Sequence, residues 1–460
     1  MSFLSVEFSI IFSLVLVFSF IFKEDTRKRQ WVILIASICI YAMWNISLCL
    51  VLFAVIGIAY ISVQRRGFIK GGLILCVSIL LFYKYCNQIF TLVAQANGKT
   101  EVVALMFPLG LSFYIFKAIS YIADVWNEKL EKKDLFDVAL YISFFPQIIS
   151  GPIEKAREFF GRGYNEHRKI NRFDILVGTQ MFLVGVLKKR VLADRLAVCV
   201  DAVYAAPMAY SSWSVILAVI SYALQLYLDF SGYSDMSIGI CKILGYDVKP
   251  NFNMPYLSHN PTEFWKRWHI SLSEWLMEYV YIPLGGSRCR KWKKYMNLIL
   301  TMMIGGIWHG ATWNFLLWGG YHGIGLVVHK VWMDVKKKYG SGCMRWITNL
   351  WSGLSIALTF MFSAVGWVFF RVQSLTQIKN ILWKCINFSD GIHYNYVYSY
   401  LTIIICVLIS IVAYFKNSGN GFMMKLQLNK AGGLFLFLMM LFGVMIFTFD
   451  GNNVFIYANF

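Results

Sequence analysis

The sequence predicts an all-α polytopic membrane protein, and three observations carry that prediction. Of its 460 residues, 58% are hydrophobic and 17% are aromatic, whereas only 15% are charged. The mean hydropathy is positive. Long runs contain no charged residue at all, including 35 residues from Gln30 to Gln64 and 27 from Ala202 to Leu228. Because a helix needs about 20 apolar residues to cross the hydrocarbon layer, these features favour membrane helices over a set of soluble domains.

Apolar runs follow one another along the chain and predict about ten to twelve membrane segments. The N-terminal run lacks the basic start and the small-residue cleavage site of a secretory signal, so we interpret it as a retained first span. Several runs are too short to cross the membrane upright, which predicts tilted, broken or re-entrant helices. Besides the two long runs above, the predominantly apolar stretches cover residues near 8–22, 71–83, 102–123, 135–153, 175–187, 346–370, 391–415 and 431–449.

The net charge of +19 is concentrated in short basic clusters. By the positive-inside rule these clusters mostly face the cytoplasm, where anionic lipid headgroups are their simplest partners. Charges scattered among membrane loops, without a nucleic-acid-binding module, argue against nucleic acid as a partner. The ten cysteines include no CxxC pair, so they predict neither a disulfide framework nor a metal site. The clusters are Arg27 to Arg29, Lys155 to Arg172, Lys188 to Arg195, Arg288 to Lys294 and Lys330 to Arg345.

His309 lies inside an uncharged run of 35 residues, Tyr295 to His329. If the basic clusters on both sides face the cytoplasm, this run must enter the membrane and return. It provides roughly 52 Å of helix, less than the ~60 Å that two upright crossings need, so a shallow or broken hairpin is predicted with His309 near its turn. Gly305, Gly306 and Gly310 would let the helix break or another backbone approach. An ionisable residue at this depth indicates function, although an imidazole bonded to a nearby carbonyl is the alternative.

Three other polar residues precede the hairpin. Asp229 and Asp235 stand in LQLYLDFSGYSDMSIG, six residues apart, and so occupy different helix faces unless Gly232 breaks the helix. Structural and catalytic roles fit these carboxylates equally well. His269 follows in TEFWKRWHISLSEWL, an amphipathic stretch that suits the membrane interface better than a crossing. Its imidazole would face either a cavity or the headgroups.

These groups together indicate chemistry or transport inside the membrane. The sequence contains no GxSxG, HExxH, P-loop or GxGxxG motif. A histidine can take the proton of a hydroxyl whose oxygen attacks a thioester, and a buried tunnel would bring a cytoplasmic donor to an acceptor from the opposite leaflet while excluding water. A transporter or flippase with His309, His269 and the two aspartates as a proton relay is the alternative, although we find no internal repeat typical of transporters.

Six segments between Phe107 and Gly323 resemble the membrane-bound O-acyltransferase (MBOAT) family. Within that family, YIPLGGSR at Tyr281 to Arg288 is similar to the bacterial branch that O-acetylates alginate and other polysaccharides, except that Ser287 replaces the usual Asn. Weaker similarity extends to GWVFFR at Gly366 to Arg371 and to the terminal FIYANF. The six segments are FPLGLSFYIFKAISYIADVW, FFPQIISGPI, YLDFSGYSDMSIG, NFNMPYLSHNPTEFWKRWHISLSEWL, YVYIPLGG and GGIWHGATWNFLLWGGYHG.

The resemblance implies a single integral membrane domain over residues 1–460, with a family core at 107–330 and flanking transmembrane helices at 1–106 and 346–460. It implies a ring of tilted helices, with re-entrant and interfacial helices, around a central tunnel. The catalytic histidine is then that of the WHG motif, His309, and His269 of the FWxRWH motif assists or positions the acceptor. Support of the tunnel is expected from Asp229, Asp235, Trp308, Asn314 and His322, the last of these mainly through packing.

The donor implied by the resemblance is acetyl-CoA, with no metal. Basic residues are plausible contacts for its phosphates, although anionic lipid suits the same side chains; they are Arg288, Arg290, Lys291, Lys293 and Lys294. We expect a multi-pass protein of the bacterial cytoplasmic membrane that passes acetyl to a separate extracytoplasmic acetyltransferase, which then modifies a polysaccharide. This expectation rests on the chain's ending soon after its last long apolar run. A teichoic-acid D-alanyl transfer protein of the same family and a non-catalytic scaffold of a cell-wall complex are alternatives.

Overall fold

The computed structural model describes residues 3–97, 105–149, 151–161, 171–310, 312–339 and 345–415, together with residues 441 and 443. Within these residues the secondary structure is helical, and the one β contact is an isolated parallel bridge between Tyr210 and Ile392. The all-α prediction is therefore confirmed. Most of the expected apolar run at 431–449 and the terminal FIYANF lie outside the described residues.

The first of two compact units comprises Met1–Phe182 and Ser234–Lys249. Side-chain caps begin several of its helices: Asp25 accepts from the backbone N–H of Lys28, and Asp134 accepts from that of Asp137. The helices are α1 Val6–Ile21, α2 Thr26–Trp44, α3 Cys49–Ser62, α4 Ile69–Ala96, α5 Leu111–Trp126, α6 Leu135–Ser143, α7 Phe145–Ile148, α8 Ala156–Gly161 and α9 Arg172–Val186, which ends in the second unit.

The second compact unit comprises Leu183–Tyr233 and Pro250–Phe460. π-Helical segments at Leu187–Ala193 and Met277–Tyr281 extend two of its helical stretches. Its helices are α10 Asp194–Ala205, α11 Ser212–Ile243, α12 Pro261–Arg267, α13 Ile270–Leu276, α14 Lys291–His309, α15 Trp313–Tyr339, α16 Arg345–Arg371, α17 Leu375–Asn387 and α18 Val397–Phe415; α11 continues into the first unit.

Several helices are apolar enough to enter a membrane. In the described part of the chain, three are both long and apolar enough to cross it, at Arg66–Ala96, Ser212–Ile243 and Ser352–Arg371. Large apolar side chains such as Phe20 and Ile74 are exposed, as lipid contact requires. The membrane-protein prediction is confirmed, whereas the number of segments, the ring, the tunnel and the single domain stay predictions. Shorter apolar helices lie at Val6–Ile21, Ile46–Ser62 and Val397–Val412.

Helices α14 and α15 form the predicted hairpin, broken between His309 and Trp313. Glycines bring the two backbones together, because a Cβ on Gly319 would lie 2.5 Å from the carbonyl oxygen of Met302. Gly306 likewise faces the carbonyl of Phe315. The hairpin is confirmed, but Gly305 and Gly306 do not break the helix, since α14 continues through both to His309. Their small size serves close packing instead.

Helix α11 is continuous from Ser212 to Ile243, so Gly232 does not break it. A Cβ at Gly232 would lie 2.7 Å from the carbonyl oxygen of Gly185, which shows that this glycine permits a close backbone approach. With the helix unbroken, six residues rotate Asp235 by about 240° from Asp229. The two carboxylates therefore point to different faces of one helix.

Candidate active site

His309 ends α14 and is almost fully buried, with 2% of its surface exposed. Aromatic rings contact the imidazole from several directions, three of them edge-on, and so restrict the orientation of its plane. The ring centroids lie 4.6 Å from His309 for Trp308, 5.0 Å for Phe370, 5.1 Å for Trp318 and 6.3 Å for Phe315.

Asn314 connects the turn of the hairpin to the end of α16. Its Nδ2 donates to the carbonyl oxygens of Phe369 at 3.0 Å and Phe370 at 3.5 Å, and its Oδ1 accepts from the hydroxyl of Thr312. Because the ring of Phe370 lies against His309, these hydrogen bonds hold one of the aromatic neighbours of the imidazole in place. Asn314 thus acts on the position of His309 through the backbone of α16.

His269 separates α12 from α13 and has φ 43° and ψ 55°. The amphipathic stretch therefore forms two short helices with a break between them. A residue other than glycine seldom occupies this left-handed region; the strain costs about 1–3 kcal/mol and tends to occur at functional sites. His269 is 1% exposed. The apolar residues at helical spacing in this stretch are buried within the protein and do not face a membrane interface; they are Trp265, Trp268, Leu272 and Trp275.

Asn251 holds the break at His269 in place. Its backbone carbonyl accepts from the N–H of Ile270 at 2.9 Å. Its side-chain Oδ1 accepts from the N–H and the hydroxyl of Ser271, at 3.1 and 2.9 Å. Sequence reasoning missed this residue. The available signal was the stretch NFN directly after Pro250, since asparagine side chains often replace missing backbone partners at chain reversals.

Trp308 lies between the two predicted catalytic histidines. Its ring centroid is 4.6 Å from that of His309 and 6.3 Å from that of His269. Phe230 of α11 packs edge-on against His269 at 4.7 Å. The structure therefore brings both imidazoles against one indole, although they are 40 positions apart in the sequence.

Asp229 belongs to a buried ion cluster. Lys189 Nζ lies 2.5 Å from an Asp229 oxygen and 2.9 Å from an Asp194 oxygen, and Arg190 lies 3.6 Å from Asp194. The cluster Lys188 to Arg195, predicted as a cytoplasmic loop, is instead helical and partly buried. Two carboxylates compensate the buried ammonium, which makes that burial tolerable. These contacts favour the structural interpretation of Asp229, whereas Asp235 is half-buried on the other face of α11.

The LGG element forms a turn before α14. Gly285 and Gly286 have φ values of 111° and 55°, which glycine adopts without strain. Asn297 of α14 donates its Nδ2 hydrogens to the carbonyls of Leu284 at 3.1 Å and Gly286 at 3.4 Å. These bonds fix the start of the basic segment that follows, Arg288 to Lys294.

The basic segment lies at the opposite end of α14 from His309. Lys291 and His309 are separated by about 27 Å along the helix axis. Lys291 pairs with Asp334 at 3.1 Å, and Tyr295 donates to the same carboxylate. Hydrogen bonds from Lys291 and then Tyr295 lower the pKa of Asp334, and the bond to Asp334 raises the pKa of Lys291.

Exposure differs among the remaining basic residues. Arg288, Arg290 and Lys293 are exposed, whereas Lys294 is half-buried against the ring of Tyr295. The exposed three are thus the most accessible to a phosphate. Among the described residues, no group of three or more His, Cys, Asp or Glu side chains is arranged to hold a metal ion.

Comparisons with known proteins identify relatives over most of the chain. The sequence model of MBOAT, the membrane-bound O-acyltransferase family, matches residues 31–370. The probable alginate O-acetylase AlgI of Pseudomonas syringae pv. tomato is 34% identical over 388 residues, covering 80% of this chain and 72% of that protein. The peptidoglycan O-acetyltransferase of Helicobacter pylori is 30% identical over 497 aligned positions, covering 95% and 92%. The teichoic acid D-alanyltransferase of Bacillus subtilis is 26% identical over 368, covering 77% and 88%.

Proposed function

Because the chain belongs to the membrane-bound O-acyltransferase family, we propose that it moves acetyl from cytoplasmic acetyl-CoA across the bacterial cytoplasmic membrane to acetylate a secreted or cell-wall polysaccharide. The chain is a multi-pass membrane O-acyltransferase. We propose in addition that acetyl-CoA is the donor, that it binds from the cytoplasmic side and that a polysaccharide is the acceptor. The observation that carries it is a buried histidine at the turn of a helical hairpin, His309, in contact with the indole that also touches His269.

His309 acts as the general base in this proposal. One imidazole nitrogen takes the proton of the acceptor hydroxyl while the hydroxyl oxygen bonds to the thioester carbonyl carbon. The carbon–sulfur bond then breaks, and the imidazolium returns its proton to the departing thiolate. Burial of His309 among aromatic rings limits access of water, the competing nucleophile. His269, which also contacts Trp308, orients the acceptor.

The donor phosphates bind the basic segment at the start of α14. Guanidinium groups such as Arg288 and Arg290 pair well with phosphate oxygens, and the turn held by Asn297 presents them. Since this segment lies about 27 Å along α14 from His309, the donor must bind in an extended form. Its thioester would point toward the turn of the hairpin.

A saccharide hydroxyl is the proposed final acceptor, because two relatives are named for alginate and peptidoglycan O-acetylation. A separate extracytoplasmic acetyltransferase receives the acetyl group and completes the transfer to the polymer. Reconstitution in liposomes with acetyl-CoA inside and polymer outside tests this relay. Full acetylation of the polymer by this chain alone would contradict it.

Radiolabelled acetyl-CoA and protein purified in nanodiscs test the catalytic role of His309. We expect His309→Gln to lower acyl transfer by about 10²- to 10⁴-fold, with an unchanged unfolding temperature. His329→Gln is the matched control, because His329 bonds to Thr262 and has no proposed part in the reaction. Unchanged turnover in His309→Gln would eliminate the assignment. A transporter or flippase would release no CoA in any variant.

A second candidate is D-alanyl transfer to teichoic acid, which the relative from Bacillus subtilis favours. The same preparation separates the two when it is offered an acetyl thioester and a D-alanyl thioester in parallel. Preference for the acetyl donor supports polysaccharide O-acetylation, in agreement with the higher identity to the O-acetylases. Preference for the D-alanyl donor would replace it. A scaffold would use neither donor.

A further inference from the structure

Three buried rings form a cluster beside His309. Trp265 lies on α12, and Trp318 and His322 lie on α15. The ring centroids are 5.6 Å apart for Trp265 and Trp318, 5.2 Å for Trp265 and His322, and 5.1 Å for Trp318 and His322. The three residues are 8%, 2% and 0% exposed, respectively. Each ring thus contacts both of the others, out of reach of bulk solvent.

The nitrogens of these rings have no hydrogen-bond partner in the part of the chain that the structure describes. This holds for Nε1 of Trp265, Nε1 of Trp318 and both nitrogens of His322. A buried polar group without a partner destabilises the folded state, and native proteins leave few of them. Packing alone therefore does not explain this cluster. Several such groups in mutual contact indicate a site for a hydrogen-bonding ligand.

Neighbouring residues hold the cluster in a defined arrangement. A Cβ on Gly366 would lie 2.5 Å from Nε2 of His322, so a glycine at this position makes room for the imidazole. Nε2 is packed against α16, which leaves Nδ1 as the nitrogen that can reach a ligand. The adjacent Trp367 differs, because its Nε1 already donates to the hydroxyl of Tyr256 at 3.1 Å.

The chemistry of the cluster selects an acceptor oxygen. An indole N–H can only donate, so two of the three groups require a ligand that accepts hydrogen bonds. The surroundings are aromatic, since Phe264, Phe362 and Trp367 pack against the ring of His322. A neutral carbonyl oxygen suits such a place better than a carboxylate or a phosphate, because burial of an unpaired charge is far more costly.

The cluster lies against the proposed base. Trp318 contacts His309 edge-on, with centroids 5.1 Å apart. Asn314, five residues after His309 in the sequence, already donates to the carbonyls of Phe369 and Phe370. The indole of Trp318 therefore brings an N–H without a partner among the described residues into the group of rings around His309.

We propose that Trp318, Trp265 and His322 bind the carbonyl oxygen of the acyl group during its transfer, an inference that rests on the proposed function of His309. As the acceptor hydroxyl oxygen bonds to the carbonyl carbon, the π electron pair of the C=O bond moves onto the carbonyl oxygen. The hydrogen bonds to that oxygen then strengthen and stabilise the developing charge. The C=O bond re-forms as the carbon–sulfur bond breaks, so these residues gain and lose no proton.

Substitution of tryptophan by phenylalanine removes the N–H and keeps an aromatic ring. We expect Trp318→Phe to lower kcat by about 100-fold or more, with Trp265→Phe acting in the same direction. Trp367→Phe is the matched control, because its N–H is bonded within the protein. We expect it to leave kcat within a few-fold of the native value.

Isotope-edited infrared spectroscopy provides a readout that a purely structural role would not move. The probe is a ketone analogue of acetyl-CoA, with a methylene between the sulfur and a ¹³C-labelled carbonyl. Its C=O band should shift to lower wavenumber when it binds the native protein and Trp367→Phe, and shift less in Trp318→Phe and Trp265→Phe. An identical band in all four proteins, or no shift in the native protein, overturns the inference.

Two further measurements test the inference if the variants do not fold and separate its failure from a failure of the proposed function. If the tryptophan variants do not fold, the resonance Raman difference spectrum of native protein with and without the analogue must show stronger hydrogen bonding of indole N–H groups. No change in that spectrum overturns the inference. His309→Gln separates the inference from the proposed function. Full activity in this variant, with the band shift intact, refutes only the role of His309 as the base. An inactive His309→Gln beside fully active tryptophan variants refutes only the binding of the carbonyl oxygen by the three rings.

Discussion

The close packing of α14 on α15 predicts that alanine destabilises the protein at Gly319 but not at the neighbouring Gly320. A Cβ on Gly319 would meet three backbone atoms of α14, the carbonyl oxygen of Met302 at 2.5 Å, Cα of Met303 at 2.8 Å and the carbonyl carbon of Met302 at 3.0 Å. A Cβ on Gly320 would meet nothing within 4 Å. Gly319→Ala and Gly320→Ala thus form a matched pair on consecutive residues of one helix.

The difference in stability between the two alanine variants follows from these distances. Alanine favours a helix interior over glycine by about 1 kcal/mol, and this gain is common to both variants. In Gly319→Ala the two backbones must separate by roughly 1 Å to restore normal carbon contacts. Overpacking of this kind costs about 1–3 kcal/mol. The free energy of unfolding should therefore be lower in Gly319→Ala than in Gly320→Ala by about 1–3 kcal/mol.

Thermal unfolding in one detergent measures the difference between the two variants. We expect Tm to be lower in Gly319→Ala by about 1–3 °C, since a chain of this length unfolds with an entropy of roughly 1 kcal/mol per kelvin. Acyl transfer should fall as well, because Gly319 follows Trp318, whose ring contacts His309, and a displacement near 1 Å at reacting groups can cost about 100-fold. Equal Tm values for the two alanine variants would refute the inference that the hairpin depends on backbone contact at Gly319.

Three other predictions concern charged residues. Lys189→Met should destabilise the protein by about 3–5 kcal/mol, because Asp194 and Asp229 both lose a buried counter-charge. Asp229→Asn should destabilise it less, and equal Tm values for the two variants would contradict this. Arg288→Ala and Lys293→Ala should raise KM for acetyl-CoA without changing kcat, more so at low salt; an unchanged KM would indicate lipid contacts instead. Asp334 has a lowered pKa in the folded state because of Lys291 and Tyr295, so its contact stabilises the protein above the unfolded pKa of about 3.9 and is lost as the pH falls through the lower folded value. Asp334→Asn should therefore lower Tm at pH 7 but not well below pH 3.9; a Tm difference that persists there would contradict this.

Local sequence patterns predicted part of the site. Uncharged runs bounded by basic clusters implied the hairpin, and its break falls directly after His309 as expected. The same approach did not predict the break at His269, because apolar residues at helical spacing carry no signal for an interruption of the helix. Hydrogen bonds that Asn251 accepts from Ile270 and Ser271 stabilise the break there, and a pattern of apolar spacing carries no information about a partner 18 positions before His269.

Contacts between distant segments were beyond the reach of such patterns. Lys189 was predicted as one of several basic loop residues, yet it pairs with Asp229, 40 positions away, inside the protein. Trp265 belongs to the amphipathic stretch around His269, whose sequence does not indicate the partners of this ring. Its contact with Trp318 and His322 depends on how α12 packs against α15.

Composition and charge spacing by themselves determined that this chain is an all-helical membrane protein with an ionisable residue at the turn of a hairpin. They suffice for that because the exclusion of charge from hydrocarbon acts on each segment separately. Tertiary structure alone decided which groups surround His309: Trp308 shared with His269, Phe370 held through Asn314, and the ring of Trp318. Those neighbours come from different helices, and the way helices pack depends on the shapes of side chains over the whole contact rather than on any one segment.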